Sequence, residues 1–201
     1  TKPATATALT AYFASKTSFE EAGLPEGAFQ FLGGSPGDMI DHLEEQDVLS
    51  FTGGASTGIK LRSHENVVAK SLTVNVEADS LNAAVVGPDV DDDSDAWDLM
   101  LRELAREMTQ KTGQKCTAIR RVMVPKDKVD AFREALGERL DDIKVGNPAE
   151  KAARMGPIAT QRQLEDTKAG LSKLMEDAEL VHGSTERPEL VGDVPEGKGF
   201  F

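Results

Sequence analysis

The hydrophobic and polar positions along the chain alternate between helical and strand periods. Apolar residues recur at helical spacing over residues 6–22, and a second helix is predicted to start at residue 35. Short apolar runs at residues 28–32 and 48–51 predict strands. Helix and strand in alternation are typical of a parallel sheet covered by helices, so the pattern predicts an α/β fold.

A strand and a strongly amphipathic helix follow in the middle of the chain. Residues 72–78 alternate with a period of two, which places Thr73, Asn75 and Glu77 on one face of the predicted strand. Residues 97–111 repeat apolar side chains at helical spacing, which predicts a helix that packs on the core. Beyond it the pattern predicts strands at 122–125 and 179–182, helices at 128–143 and 159–178, and a turn-rich tail.

The acidic composition excludes several classes of function. The chain carries 23 Lys and Arg against 35 Asp and Glu, a net charge of −12, which argues against a surface that binds nucleic acid or anionic membranes. It has no apolar run of the roughly 18 residues that a membrane span needs, and no signal peptide. One cysteine excludes an intrachain disulfide and, without clustered His or Cys, gives little support to a metal site. A cytoplasmic protein is therefore expected.

Residues 53–58, Gly-Gly-Ala-Ser-Thr-Gly, form a glycine-rich turn between a predicted strand and a helix predicted over 57–62. Such a turn lets backbone and a helix N-terminus approach a phosphate. A P-loop is excluded because Ile59 stands where that motif needs lysine. An esterase nucleophile elbow, G-x-S-x-G, is an alternative, with Ser56 as nucleophile and His182 downstream. A cofactor loop and a plain structural turn are the other two interpretations.

Cys116 is the candidate nucleophile of the chain. It lies in residues 113–117, Gly-Gln-Lys-Cys-Thr, after the predicted helix and beside Lys115. A cysteine reacts as the thiolate, which a neighbouring positive charge or a helix N-terminus favours. If residues 117–119 start a new helical turn, their free N–H groups supply that environment. The alternative is a buried cysteine that packs as a small apolar residue.

Residues 113–117 resemble the nucleophile motif of the aldehyde dehydrogenase superfamily, Gly-Gln-x-Cys-Thr. The turn that begins at Phe51 resembles the cofactor loop of that superfamily, with Gly54 in place of the usual Ser. The resemblance implies a Rossmann-like, parallel-sheet cofactor-binding half, residues 1–78, followed by part of an α/β catalytic domain, residues 79–201. The glycines implied to contact the cofactor are Gly53, Gly54 and Gly58.

Residues 77–82, Glu-Ala-Asp-Ser-Leu-Asn, resemble a branch of the superfamily that oxidises coenzyme A-linked semialdehydes in ring-opening degradation of phenylacetate and benzoate. In that branch the Glu of this motif is taken as the general base, which implies that role for Glu77. Alignment to the wider superfamily through residues 80–82 places Asn75 at the position of the base, which is a departure from the common pattern. The implied reaction is oxidation of an aldehyde to a carboxylate through a thiohemiacetal and a thioester on Cys116.

Residues 2–5, Lys-Pro-Ala-Thr, resemble the family motif Lys-Pro-(Ala or Ser)-Glu, whose Lys and Glu contact the adenosine ribose. A carboxylate accepts a hydrogen bond from the ribose 2′-hydroxyl but repels a 2′-phosphate. Thr5 removes that repulsion and offers a hydroxyl donor, while Lys2 offers a positive charge. The resemblance therefore implies NADP as cofactor, with NAD as the second choice.

The chain is expected to be an internal fragment of such an enzyme. It begins without Met and stops as an apolar run begins at residue 199. The resemblance places an oxyanion-hole Asn before residue 1 and a ribose-binding Glu after residue 201, so the chain alone is expected not to oxidise aldehydes. The implied partners are a small aldehyde, with a CoA thioester as one form, and further copies of the subunit in a homo-oligomer. A non-catalytic nucleotide-binding fold is the remaining alternative.

Overall fold

The chain folds into two compact units, Thr1–Asp79 and Ser80–Phe201. The computed structural model describes residues 1–195 and 199–201. Each unit contains a pair of parallel strands together with helices, as the predicted α/β class requires. The assignment of the first unit to cofactor binding and of the second to catalysis stays a prediction.

The first unit is built around two parallel strands, β1 (Val48–Gly53) and β2 (Thr73–Ala78). Alternate side chains of both strands are half-buried, which confirms the period of two in the sequence. The helices of this unit are α1 (Ala8–Ala22), α2 (Ala55–Arg62) and α3 (Glu65–Ala69). Because α2 and α3 lie in the connection between two parallel strands, this part of the chain is a βαβ unit.

Two predicted elements of the first unit are wrong. The strand predicted at residues 28–32 does not form, although the Thr1 amino group donates to the Gln30 carbonyl and the Leu32 N–H donates to the Thr1 carbonyl. The helix predicted from residue 35 is reduced to a 3-10 turn at Met39–His42. Both segments are mostly exposed, so their apolar side chains lack the packing that stabilises a short regular element.

Helix α1 has 15 residues and buries none of them. Leu9 and Phe13 are 71% and 58% exposed, while the rings of Phe19 and Phe29 pack with their centroids 4.3 Å apart. The helix ends at Gly23, whose φ of 58° is a left-handed conformation that favours glycine. No helix in the described ranges combines the length and apolar character that crossing a membrane requires.

The core of the second unit lies where helices pack on the second strand pair. Strands β3 (Asn82–Val85) and β4 (Ile119–Met123) are parallel, with a register shift between Asn82 and Ala83. The helices are α4 (Asp95–Thr109), α5 (Val129–Asp141) and α6 (Gln161–Leu174). The buried core residues are Val86, Trp97, Leu101, Leu104 and Phe132.

Helix α4 sets the starting point of the loop that carries the cysteine. It begins after Ser94, whose hydroxyl accepts a hydrogen bond from the Trp97 N–H in the first turn. It continues into a 3-10 turn, Gln110–Gly113, in which Lys111 and Thr112 have positive φ angles of 54° and 57°. These conformations are unfavourable for residues other than glycine. The Thr112 hydroxyl donates to the Gly156 carbonyl at 3.0 Å, which helps to hold the turn in place.

The remaining predicted elements are confirmed in part. Helices α5 and α6 form within their predicted limits, and β4 starts three residues before the strand predicted at 122–125. The strand predicted at 179–182 does not form. In the tail, Gly146 pairs with Val191 so closely that a Cβ at residue 146 would overlap the Val191 backbone. Residues 196–198 of the predicted turn-rich tail lie outside the described residues.

Leu104→Ala is expected to lower the free energy of unfolding of the second unit by about 2 to 5 kcal/mol, because Leu104 is 1% exposed and its truncation leaves a cavity. Urea unfolding can be followed by the fluorescence of Trp97, which is the only tryptophan and lies in the same core. Leu99→Ala on the same helix is the matched control, because Leu99 is 49% exposed. Its effect should stay within about 0.5 kcal/mol. Equal effects of the two substitutions would contradict this assignment of the core.

Candidate active site

Cys116 lies on the surface, in the loop between the 3-10 turn that follows α4 and the start of β4. The alternative of a buried cysteine with a purely packing role is therefore wrong. No helical turn starts over residues 117–119, because β4 already begins at Ile119, so the condition for a helix N-terminus beside the cysteine is not met. The extended chain is favoured there by pairing with β3, which a local reading of the sequence does not include.

Lys115 does not offer a free positive charge to the cysteine. Its Nζ lies 2.5 Å from the Glu107 carboxylate and 3.0 Å from the Gln110 side-chain oxygen. The two charged side chains are about one-fifth exposed, at 21% and 19%. The positive charge next to Cys116 is thus balanced by a carboxylate of α4, and the sequence-based expectation for Lys115 is wrong.

The carbonyl groups of the cysteine loop are bound by side chains from neighbouring segments. The Ser80 hydroxyl and the Asn82 amide both donate to the Cys116 carbonyl, the latter at 2.8 Å. The same Asn82 amide donates to the Ala118 carbonyl at 3.1 Å. On the other side of the cysteine, Arg120 donates to the Lys115 carbonyl at 3.2 Å. These contacts leave no local signal in the sequence, because those of Asn82 join residues 34 to 36 positions apart.

Three backbone N–H groups of the loop, those of residues 115–117, are unpaired among the described residues, and two of them lie next to the thiol-bearing carbon of Cys116. Among the described residues, the N–H groups of Cys116 and Thr117 have no hydrogen-bond acceptor, whereas the Ala118 N–H bonds to the Lys115 carbonyl at 3.1 Å. N–H groups that are fixed and unpaired next to a nucleophile can stabilise negative charge on an oxygen of a bound substrate. The loop therefore carries a thiol on Cys116 and, on Cys116 and Thr117, N–H groups that are free to bind an oxyanion.

Glu77 is an exposed residue of β2 and faces the same side as Asn75. The Asn75 amide lies 3.5 Å from the Ser50 hydroxyl on the paired strand. In the described part of the chain, no hydrogen bond or ion pair of the Glu77 carboxylate is present. Glu77 lies in the first unit and Cys116 in the second. Glu77 thus has the exposure that a general base needs, and its role as the base stays a prediction.

The glycine-rich turn leaves room for a ligand above the N-terminus of α2. No atom lies within 4 Å of the position that a Cβ of Gly54 would occupy. At Gly58 a Cβ would lie 2.6 Å from Val76 Cγ1, so glycine allows α2 to pack closely on β2. At Gly53 a Cβ would lie 2.5 Å from the Phe51 ring. The open space at Gly54 and the close packing at Gly58 fit the way glycines serve a Rossmann-type phosphate-binding turn.

Asp79 occupies the N-terminus of α2. Its carboxylate accepts a hydrogen bond from the Ala55 N–H at 2.8 Å, and its φ of 47° is left-handed. A carboxylate at a helix N-terminus is favoured by the helix dipole, but it competes with a phosphate for the same N–H group. Asp79 was not singled out in the sequence, because the contact joins residues 24 positions apart.

Lys2 and Thr5 are exposed residues near the N-terminus. The Lys2 ammonium donates to the Pro3 carbonyl at 3.0 Å. Thr5 begins a 3-10 turn, Thr5–Thr7, and its side chain makes no hydrogen bond within the described ranges. Both side chains are accessible to a ligand, and their contact with a ribose stays a prediction.

The nucleophile-elbow interpretation of Ser56 does not fit the backbone. Ser56 lies in the first turn of α2, and it is not among the described residues with positive φ. The nucleophile of an elbow sits instead on a sharp, strained turn between strand and helix. His182 pairs with Asp141 at 3.4 Å. The described residues also contain no group of three or more His, Cys, Asp or Glu side chains arranged to hold a metal ion.

Comparison with known proteins adds a family assignment to this geometry. The family model described as the aldehyde dehydrogenase family matches residues 1–194. Over 182 residues the chain is 44% identical to 3,4-dehydroadipyl-CoA semialdehyde dehydrogenase of Aromatoleum evansii, covering 90% of this chain and 35% of that enzyme. The chain therefore spans about a third of the length of this relative.

Solved structures share the fold. Betaine aldehyde dehydrogenase of Staphylococcus aureus, in complex with NAD+, is similar with a TM-score of 0.81 at 26% identity, over 94% of this chain and 36% of that one. An aldehyde dehydrogenase of Mycobacterium tuberculosis, complexed with NAD+, is similar with a TM-score of 0.79 at 27% identity, over 94% and 38%. The Rossmann-like α/β fold expected from the sequence is thus confirmed.

Asp79→Asn is expected to tighten the binding of a nicotinamide dinucleotide by about fivefold, because it removes a negative charge that competes with phosphate at the N-terminus of α2. Binding can be measured by titration calorimetry. Asp47→Asn is the matched control, because the Asp47 carboxylate accepts a 2.8 Å hydrogen bond from the Glu44 N–H elsewhere in the same unit. An unchanged dissociation constant for Asp79→Asn, or equal tightening by both variants, would contradict the prediction.

Proposed function

The chain belongs to the aldehyde dehydrogenase family, and we propose that the complete enzyme carrying it oxidises an aldehyde to a carboxylate with Cys116 as nucleophile. The observation that carries the proposal is the exposed thiol of Cys116, flanked by backbone N–H groups without acceptors in the described structure. A bound nicotinamide nucleotide supplies the hydride acceptor for this reaction.

The proposed steps assign a role to each group of the chain. The Cys116 thiolate attacks the carbonyl carbon of the aldehyde and forms a thiohemiacetal, whose oxyanion accepts hydrogen bonds from the unpaired N–H groups of the loop. Loss of hydride leaves a thioester on Cys116. Glu77 removes a proton from water, which attacks the thioester, releases the carboxylate and restores the thiol.

A CoA-linked semialdehyde is the proposed substrate class. This proposal is supported by the 44% identity to a relative named for 3,4-dehydroadipyl-CoA semialdehyde and by the motif at residues 77–82. It also places the enzyme in the degradation of aromatic compounds. A cytoplasmic location and a homo-oligomeric enzyme are part of the proposal, and they rest on the single cysteine and on the family resemblance.

NADP is the proposed cofactor, with NAD as the alternative. The residues present fit a dinucleotide, because Gly54 leaves open space at the N-terminus of α2 and Gly58 allows close packing of that helix on β2. Lys2 and Thr5 would contact the adenosine ribose. The two similar solved structures contain NAD+. The preference for NADP therefore rests on Thr5, a hydroxyl in place of the carboxylate that repels a 2′-phosphate.

Glu77→Gln is expected to lower kcat of the complete enzyme by about 100-fold, because the thioester on Cys116 then lacks its general base. Intact-protein mass spectrometry should detect the acyl adduct as it accumulates on Cys116. Cys116→Ala should abolish both adduct and turnover, while Glu45→Gln, an exposed carboxylate of the same unit, should leave both unchanged. Full activity of Cys116→Ala, with loss of activity in Ser56→Ala, would support the esterase alternative instead.

Thr5→Glu is expected to shift cofactor preference from NADP towards NAD by about tenfold in kcat/KM, because the new carboxylate repels the 2′-phosphate and accepts from the 2′-hydroxyl. The ratio of kcat/KM for the two cofactors is the measurement. Thr7→Glu, in the same 3-10 turn, adds the same charge and should change the ratio much less. A clear preference for NAD in the unsubstituted enzyme would show that the interpretation of Thr5 is wrong.

A further inference from the structure

The loop that carries Cys116 is held by side chains to which the proposed reaction assigns no role. Ser80 and Asn82 both donate to the Cys116 carbonyl, and Asn82 also binds the Ala118 carbonyl. All of these residues belong to the second unit, so the contacts lie within one compact body. Three hydrogen bonds from two side chains converge on a segment of three residues.

We propose that Asn82 and Ser80 are positioning residues that orient the Cys116 thiol and its neighbouring N–H groups for attack on a carbonyl. The proposal rests on the proposed function, because it concerns the same nucleophile. It adds two residues, neither of which touches the substrate.

Because a peptide bond is planar, contacts that fix the direction of its carbonyl also fix the direction of the N–H in the same peptide. A trans peptide is planar, and its C=O and N–H point in opposite directions. Fixing the Cys116 carbonyl towards Ser80 and Asn82 therefore directs the Thr117 N–H away from these two side chains. That N–H has no acceptor among the described residues, so it stays free to bind an oxyanion.

The peptide on the other side of the cysteine is held in the same way. The Lys115 carbonyl accepts from the Arg120 guanidinium at 3.2 Å and from the Ala118 N–H at 3.1 Å. The Cys116 N–H is directed to the opposite side and is likewise unpaired within the described ranges. With both flanking peptide planes fixed, the direction of the Cα–Cβ bond of Cys116 is fixed as well, and with it the region that the thiol can reach.

Asn82 is well suited to hold the carbonyl groups of the loop. Its amide carries two N–H donors, and it lies within hydrogen-bond distance of two carbonyls, at 2.8 and 3.1 Å. It is the first residue of β3, at the point where the register with β4 shifts. A half-buried residue at the end of a paired strand has little freedom to move, so the carbonyls are held against a rigid element.

Two reactions of the thiol distinguish a positioning role of Asn82 and Ser80 from a general effect on the reactivity of Cys116. Alkylation by iodoacetamide forms an S–C bond and releases iodide, and it needs only an accessible thiolate. With 4-nitrophenyl acetate, the sulfur attacks the ester carbonyl, a tetrahedral oxyanion forms, and nitrophenolate leaves as the thioester forms. Only the second reaction needs donors aimed at an oxyanion. Cys116 is the only cysteine, and because 4-nitrophenyl acetate also acylates lysine and histidine side chains, the acylation rate of each chain is corrected by that of its Cys116→Ala counterpart.

Asn82→Ala is expected to slow acylation of the full chain by about tenfold or more while alkylation changes by less than about threefold, because misdirected donors affect only the oxyanion. Ser80→Ala should slow acylation less, since Asn82 remains, and Ser80→Thr should restore the rate because it keeps the hydroxyl. Asn147→Ala is the matched control, since Asn147 donates to the Asp193 carbonyl at 3.0 Å in the same unit. It should change neither rate. Thermal unfolding of each variant identifies loss of folding, and the Ser80 pair carries the test if Asn82→Ala does not fold.

Normal acylation in folded Asn82→Ala and Ser80→Ala chains, with the thiol reactive in both, would overturn the positioning role and leave the proposed nucleophile intact. Equal slowing of alkylation and acylation would also overturn it, because that result indicates a general loss of thiol access. An unsubstituted chain whose Cys116 reacts with neither reagent would overturn the proposed nucleophile itself. The two failures are therefore distinguishable.

Discussion

The loop that carries Cys116 lies outside helices and strands, so its carbonyl groups are bound by side chains instead, and these contacts fix the backbone around the thiol. The carbonyls of residues 115, 116 and 118 accept hydrogen bonds from Arg120, Ser80 and Asn82. Those donors lie on or next to β3 and β4. The buried core of α4 and α5 against these strands keeps the donors in place. Packing energy around Leu104 is thus linked to the orientation of a surface thiol.

In the first unit the same kind of link joins packing to ligand access. Gly58 lets α2 approach β2, where a Cβ would meet Val76 at 2.6 Å. That approach brings the N-terminus of α2 to the end of β2, where the Asp79 carboxylate binds the Ala55 N–H. Asp79 stabilises the helix terminus and at the same time adds negative charge where a phosphate would bind. One carboxylate therefore stabilises the fold of this turn and opposes the phosphate binding that is proposed there.

Local periodicity was sufficient to predict several elements. The alternation of residues 72–78 and the apolar stripe of α4 depend on neighbours within a few positions, and both are present in the structure. Strand β3 was missed, because four residues of Asn, Ala and Val carry little strand signal until β4 pairs with them. The strand predicted at 28–32 failed for the complementary reason, since an apolar run without a packed neighbour has no ladder to join.

The candidate site shows the same division between local and long-range information. Cys116 and Glu77 were found from motifs, and their roles stay predictions. The partners of Lys115, Cys116 and Ala55 were not found, because each contact depends on the tertiary fold or on a turn of unusual conformation. Lys111 and Thr112 have positive φ angles, which their residue types do not predict. Gly113 next to them was the only local signal that the chain changes direction there.

The position of the proposed base depends on the end of β2. Asn75 and Glu77 share a face because successive side chains of a strand alternate, but they are separated by about 7 Å along the strand. A carboxylate at residue 77 instead of 75 therefore lies at a different position along the strand. That position is well defined only if the end of β2 is held in place. Asp79 provides this, since aspartate tolerates the left-handed conformation that it adopts and its side chain is bound to the Ala55 N–H. The residues that follow the base in this motif thus fix where the base can reach.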